Sequence, residues 1–360
     1  MCLLAPRFVP TGQSEARFPQ FPPCSTMRFS NLLRLWLALG LTVTVPAALA
    51  GSAPNHRGNA REYLSSIVDQ VLDSIENHNP HVLPLATIYK ATENSHASSL
   101  AMMTAWRTIT KVNPPSLLAI DTQQGSVYFS SVASEGNSKT KSILRGRIKV
   151  VDREITEVEL FISRSRGDDG FGFSADQHDT NNRELMSPPP NRTRASRETL
   201  EILGEGMFDA SVDFPVTVSN NCQFTEVGWI VVDTGTYGNA SSDPLACSWR
   251  TDRPTDLYAR NNLVVDEELG FVVCSGMVPG MVYPYIGNIS TFIPDDLPAQ
   301  QEAQVVWIEE MKAQGGVSMV SPRPAMGDNL QVIQYYNDEL TALQLNVYLF
   351  GPNMTSPWLY

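Results

Sequence analysis

The stretch IQYYNDELTALQL at residues 333–345 is written a second time, as IKVVDREITEVEL at residues 148–160. The two align without a gap: Ile148 with Ile333, Glu154 with Glu339, Thr156 with Thr341, Leu160 with Leu345, and Asp152 with Asn337 at the turn. Each reads as a β-hairpin, two runs flanking a pair of turn residues. After the second one Leu343, Leu345, Val347 and Leu349 alternate with Gln344, Asn346 and Tyr348. A chain that writes one hairpin twice is constrained to build the unit around it twice.

Three further matches precede the hairpin, in the same order. CQFTEVG (222–228) parallels YKATENS (89–95) and sets Thr225-Glu226 on Thr92-Glu93. ACSWRTD (246–252) parallels MTAWRTI (103–109) and sets Trp249-Arg250 on Trp106-Arg107. VVDEELGFV (264–272) parallels AIDTQQGSV (119–127), both Asp-x-x-x-Gly. Each copy opens on a helix. In residues 60–77 Leu64, Ile67, Val68, Val71, Leu72 and Ile75 fall at helical spacing. Residues 196–209 begin at a capping Ser196 with Glu198 in the first turn. Helix first and long strands after it predict an α+β fold with a largely antiparallel sheet in each copy. A curved sheet covered by helices makes a cone, and fused cones pack as an internal pseudo-dimer. The first copy is expected over 58–165 and the second over 196–360. Residues 166–195, with the proline run Pro188–Pro190, are expected as linker.

Residues 1–26 are Pro-rich and aperiodic and read as an over-extended gene model. Residues 27–50 read as a signal peptide: Arg28 and Arg34, the apolar LWLALGLTVTV, then Ala48–Ala50. The apolar run is short for a membrane span. Secretion is therefore expected. Four sequons, at Asn191, Asn239, Asn288 and Asn353, agree with glycosylated surface loops. Cys222 and Cys247 are expected to pair. Cys274 then remains as a free thiol, at a strand position that is apolar in the other copy.

The chain carries 26 basic and 38 acidic side chains. A net acidic surface without a basic stripe argues against nucleic acid and anionic membranes as partners. Five histidines, none of them in the second copy, give no metal-ligand spacing, so no metal is expected. There is no Gly-x-Ser-x-Gly elbow, no phosphate loop and no dinucleotide fingerprint, so no cofactor is expected. Chemistry driven by binding and orientation, or no chemistry, remains.

The segments SRETLEILGEGMFD, FPVTVSNNCQFTEVG, CSWRTD, NNLVVDEELGFVV and FGPNMTSPW resemble a family of secreted fungal proteins of the NTF2-like (SnoaL-like) superfamily with a tandem domain. The resemblance covers nearly all of residues 60–360. Its most specific parts are the Thr-Glu-Asn segment, the Val-Asp-Glu-Glu-x-Gly strand start and the terminal Met354, Ser356 and Trp358. Cofactor-free cyclases of fungal natural-product pathways are similar, among them hetero-Diels–Alderases of tropolone-sesquiterpenoid biosynthesis. The resemblance implies a cofactor-independent cyclase, isomerase or dehydratase acting on an apolar metabolite. The alternative is a non-catalytic secreted small-molecule-binding protein. A homodimer is compatible with either. Phe224 and Val227 depart from the family pattern and make the second copy more apolar.

The polar end of a site is expected in the first copy, with Glu93 or Tyr89 as proton donor. Asn94, Trp106 and Arg107 would line it. Phe224, Glu226, Trp249 and Arg250 would shape the second cone. Each has a plainer role beside this one. The glutamates could fix a helix–strand junction, the tryptophans could be core, and Arg107 and Arg250 could pair with Glu93 and Glu226.

Overall fold

The computed structural model describes residues 56–136, 141–164, 173–230, 249, 253–284, 290–315 and 321–359. The first copy opens on helix α1 (His56–Glu76), whose Leu64, Ile67, Val68, Val71, Leu72 and Ile75 are all buried. Burying a side chain of this size contributes roughly 1.5–3 kcal/mol. Seven strands follow: β1 (Leu85–Glu93), β2 (His96–Ala97), β3 (Ile109–Val112), β4 (Leu117–Asp121), β5 (Ser126–Glu135), β6 (Lys141–Val151) and β7 (Glu154–Ser163). A one-turn helix α2 (Thr104–Thr108) precedes β3. The sheet runs β2-β1-β7-β6-β5-β3, with β4 also on β5. All pairs are antiparallel except β1 with β7.

The second copy repeats this plan. Helix α4 (Arg197–Gly206) is capped by the Ser196 side chain, as its sequence predicts. Strands β8 (Thr217–Glu226), β9 (Trp229–Ile230), β10 (Arg260–Asp266), β11 (Phe271–Pro284), β13 (Arg323–Tyr336) and β14 (Glu339–Leu345) form the path β10-β11-β13-β14-β8-β9. Again one pair, β8 with β14, is parallel. The agreement extends to defects. Both hairpins turn on two residues with positive φ, Asp152-Arg153 and Asn337-Asp338. Both carry a register shift just after the turn. At that shift Thr156 Oγ1 donates to Lys149 O, and Thr341 Oγ1 donates to Gln334 O. The bulge bends the strand, and the molecule is α+β with two curled sheets.

Two parts depart from expectation. Residues 166–195 are not wholly linker: helix α3 (Ala175–Leu185) lies there, with Ser174 as its cap. The middle of its buried face is polar, carrying His178, Asn181 and Asn182 between Ala175 and Leu185, so little apolar period announces it. Between β11 and β13 the second copy also inserts β12 (Ser290–Pro294) and helix α5 (Pro298–Ala313), without a counterpart in the first copy. A last strand, β15 (Val347–Phe350), pairs with β13.

The two sheets share a core. Leu117, Ala119, Tyr128 and Phe161 from the first copy pack with Val264, Phe271, Val273, Leu330, Val332 and Ala342 from the second. At its edge the two Asp-x-x-x-Gly aspartates cross over. Asp121 accepts from Arg197 (3.1 and 2.8 Å) and from the backbone N–H of Val265 (3.2 Å). Asp266 accepts from Arg61 (3.0 and 2.8 Å) and from the N–H of Ile120 (2.8 Å). Each also closes its own turn, Asp121 on Gln123 and Gln124, Asp266 on Glu268 and Leu269. Helix α3 joins the copies as well. Asn182 donates to Ser116 of the first and accepts from Gln344 of the second, and Asn181 donates to Gly228 O.

Candidate functional site

The core of the first copy is filled. Among the described residues 25 buried apolar side chains form its core, and only Tyr63, Leu85, Tyr89 and Leu118 pack there partly buried. The residues expected to form a polar site there have structural work instead. Glu93 accepts from the N–H groups of Thr104 (2.9 Å) and Ala105 (2.7 Å) and from the Thr104 hydroxyl, so its carboxylate caps α2. Asn94, at φ 46°, makes the β1–β2 turn with Ser95, and its Oδ1 accepts from Ile162 N (2.8 Å). Trp106 is core, its indole N–H donating to Ser74 Oγ (3.1 Å). Arg107 is exposed on an open groove beside His78, Thr108, Glu135 and Arg164, rather than paired with Glu93. Tyr89 remains partly buried against the filled core. Both carboxylate oxygens of Glu93 thus accept from the helix it caps.

The second copy is different. Its helix α4 has 10 residues where α1 has 21. Among the described residues twelve apolar side chains are buried there and nine are only partly so, Phe214, Val216, Val218, Phe224, Trp249 and Leu345 among them. Phe224 thus belongs to the partly buried part of this apolar wall. Trp249 rests against the end of the helix, where a Cβ on Gly206 would meet its ring at 3.1 Å, and the Arg253 guanidinium lies 4.5 Å from its ring centroid. Its indole N–H is buried and, among the described residues, has no acceptor. Among the described residues Trp249 thus has no acceptor of the kind that Ser74 gives Trp106 in the first copy. Burying an N–H this way costs about 1–3 kcal/mol unless something accepts it.

A second orphan lies on β13. Gln331 is buried, pairs across the sheet with Cys274, and leaves Oε1 without a donor while Nε2 reaches Asn329 Oδ1 at 3.5 Å. Strand alternation puts it on the face of Ile333, which is core of this cone. Cys274 is the free buried thiol, and burial pushes its pKa up to about 12, so it is no nucleophile near neutral pH. Cys222 is disulfide-bonded. Its expected partner Cys247 lies outside the described residues, as do Arg250, Asn239 and Asn288. Asn191 and Asn353 are exposed. Glu226 ends β8, opposite Leu345 and Trp229, and is half-buried.

Sequence reasoning passed over Gln331. Its signal was the hairpin alignment, which sets Gln331 on Gly146: a polar side chain stands where the other copy has none. Gly146 itself is hemmed in, since a Cβ there would lie 2.5 Å from Phe129.

No family model matches the chain, and no curated protein matches it. Among solved structures, a de novo designed protein with a curved β-sheet is similar over 29% of this chain and 87% of that one, at 14% identity and a TM-score of 0.25. A likeness so slight carries no argument about fold or activity.

Proposed function

We propose that this chain is a secreted tandem NTF2-like protein, two cones packed as an internal pseudo-dimer, that binds an apolar small molecule in the second cone. The reaction class that suits it is a cofactor-independent cyclisation or isomerisation. The matching topology of the two sheets supports the first part. The partly buried apolar wall, with two neutral groups that have no partner among the described residues, Trp249 N–H and Gln331 Oε1, carries the second. A ligand with one acceptor oxygen and one hydroxyl would satisfy both. Among the side chains named for this wall none is a tuned acid or base. What the cone offers is confinement and orientation, which can lower a barrier by several kcal/mol where reacting ends must be brought together. The same wall also suits a carrier, which would hold the molecule unchanged.

N-phenyl-1-naphthylamine, a neutral apolar fluorophore, tests the binding. The intact protein is expected to enhance its emission, and Phe224→Asp to weaken binding at least tenfold. Trp249→Phe keeps the ring and removes the N–H, and is expected to weaken retention of oxygenated ligands more than of the fluorophore. Extraction of the protein from its producing host, with mass spectrometry of what it holds, separates the two readings. Conversion of the recovered molecule to an isomer of equal mass supports the enzyme, and its return unchanged supports the carrier. Undiminished fluorophore binding by the Phe224 variant would remove the cone from consideration.

A further inference from the structure

The second copy covers one end of its sheet with a piece of chain that the first copy lacks. There β12 pairs with β11 as far as Gly280, opposite Pro294, and a Cβ on Gly280 would meet the Phe292 ring at 2.6 Å. The Asp-x-x-x-Gly alignment sets Gly280 on Glu135 of the first copy. Nothing is inserted at Glu135, and an open groove of about 640 Å³ lies there, of a size that holds small ligands. His78 after α1, Arg107 and Thr108 on α2, Thr110 on β3, Glu135 at the end of β5 and Arg164 just past β7 line it.

The acid in this groove is already engaged. Glu135 accepts from Arg164 Nε and Arg164 Nη2, each at 2.8 Å, from Ser142 (2.8 Å) and from Thr108 (2.7 Å). Arg107 takes no part in this. It is exposed, and among the described residues it makes no hydrogen bond and no ion pair. The chain has 38 acidic against 26 basic side chains, and Arg61, Arg147, Arg164, Arg197 and Arg260 each hold a carboxylate. Arg107, facing a groove, holds none. The second open group is His78, at φ 51°, whose Nδ1 lies 2.7 Å from Trp106 O. A carbonyl only accepts, so Nδ1 carries the hydrogen, and Nε2 of the neutral ring is left as an acceptor. The carbonyl it holds is the one bonded to the backbone nitrogen of Arg107, and Trp106 is fixed in the core. The contact therefore sets the imidazole beside the arginine.

We infer that this groove is a binding site, separate from the apolar wall of the second copy, for a small hydroxy acid. Arg107 receives the carboxylate on two parallel N–H donors, a geometry that a guanidinium matches and an ammonium does not. His78 Nε2 accepts from the hydroxyl. A simple acid would leave His78 without a donor, and a simple alcohol would leave Arg107 without a counter-charge, so the two groups together select a ligand that bears both.

The test is a calorimetric titration of the full chain with mandelate, with phenylacetate, which lacks the hydroxyl, and with mandelamide, which lacks the charge. The ring common to all three drops out of the comparison. Mandelate is expected to bind roughly tenfold more tightly than either. Arg107→Gln, at an exposed and unpaired position, is expected to keep the thermal midpoint of the parent and to weaken mandelate to the level of mandelamide. His78→Phe is expected to bring mandelate down to the level of phenylacetate. Should that variant fail to fold, mandelate against phenylacetate on the intact protein decides the role of the hydroxyl. Mandelate is expected not to displace N-phenyl-1-naphthylamine, which keeps the two sites distinguishable. Displacement of the fluorophore, a folded Arg107→Gln that binds mandelate as the parent does, or a parent that does not prefer mandelate to phenylacetate would overturn the assignment.

Discussion

At the scale of single residues the most consequential pair is Asp121 and Asp266. Each oxygen has a donor, and the donors come from both copies. Asp266→Asn removes the buried counter-charge of the Arg61 guanidinium and leaves it only the more exposed Glu268 at 3.4 Å. The expected loss is about 3 kcal/mol, measured by urea unfolding, with a similar loss for Asp121→Asn. Glu93→Gln should cost about 1–2 kcal/mol, since an amide turns one N–H toward the donors it must accept from. It should leave fluorophore binding in the second cone unchanged. Asp328 acts in the opposite sense to these. Its folded-state pKa is raised, so its contribution to stability is complete below about pH 4, the unfolded value, and is lost as pH rises toward the folded value. Asp328→Asn removes that loss, and the variant should be more stable than the parent at pH 7 and no more stable at pH 3. The sequence announced the two aspartates as a repeat but not their role, because the partner of each lies on the other copy. It was silent on Asp328, which becomes visible only as a mismatch between copies.

Among the elements, the hairpins, α1 and the capped start of α4 were legible because local pattern and tertiary packing agree there. Helix α3 was not. Between the buried Ala175 and Leu185 at its ends it buries His178, Asn181 and Asn182, and a helix that docks largely by hydrogen bonds carries little hydrophobic period. The insertion of β12 and α5 was equally hidden, because the repeat offers nothing to align with it. His178 makes α3 testable. It is 3% exposed, its Nε2 lies 2.8 Å from Ser130 Oγ and 3.1 Å from Asn182 Nδ2, and Arg145 and Asp179 are the nearby charges. Burial first, and Arg145 second, pull its pKa down to about 3. The folded chain refuses a proton that the unfolded chain accepts from about pH 6.5 downward. Its share of stability is therefore whole above that pH and lost as pH falls toward 3. Between pH 7 and 4.5 this one group should cost on the order of 2–3 kcal/mol. His178→Gln, which keeps a hydrogen-bonding tip, should lose correspondingly less than the parent over that interval in parallel urea titrations.

On the scale of the whole molecule, the shared core and the crossed aspartates bind the two copies into one energetic unit. Calorimetry should register a single unfolding transition, with Asp266→Asn lowering all of it rather than splitting off the second copy. Two resolved transitions would mean that the junction is weaker than its contacts suggest. That the two sheets share one strand plan was legible from the aligned segments. The different lengths of their helices were not: the first spans 21 residues and the second 10, and motif matching does not weigh length.

The crossed aspartates have a counterpart in heredity. In a dimer of identical subunits, one codon change alters both sides of the contact at once, and any new charge meets its own image across the axis. Here the two sides are separate stretches of one gene. Arg147 aligns with Val332 and Asp328 with Ile143, so neither meets a duplicate of itself. Two halves of one chain need not mirror each other, while Asp121 and Asp266 hold their seam closed. An uneven, charged seam of this kind is a surface that a dimer of identical subunits has no single-step route to.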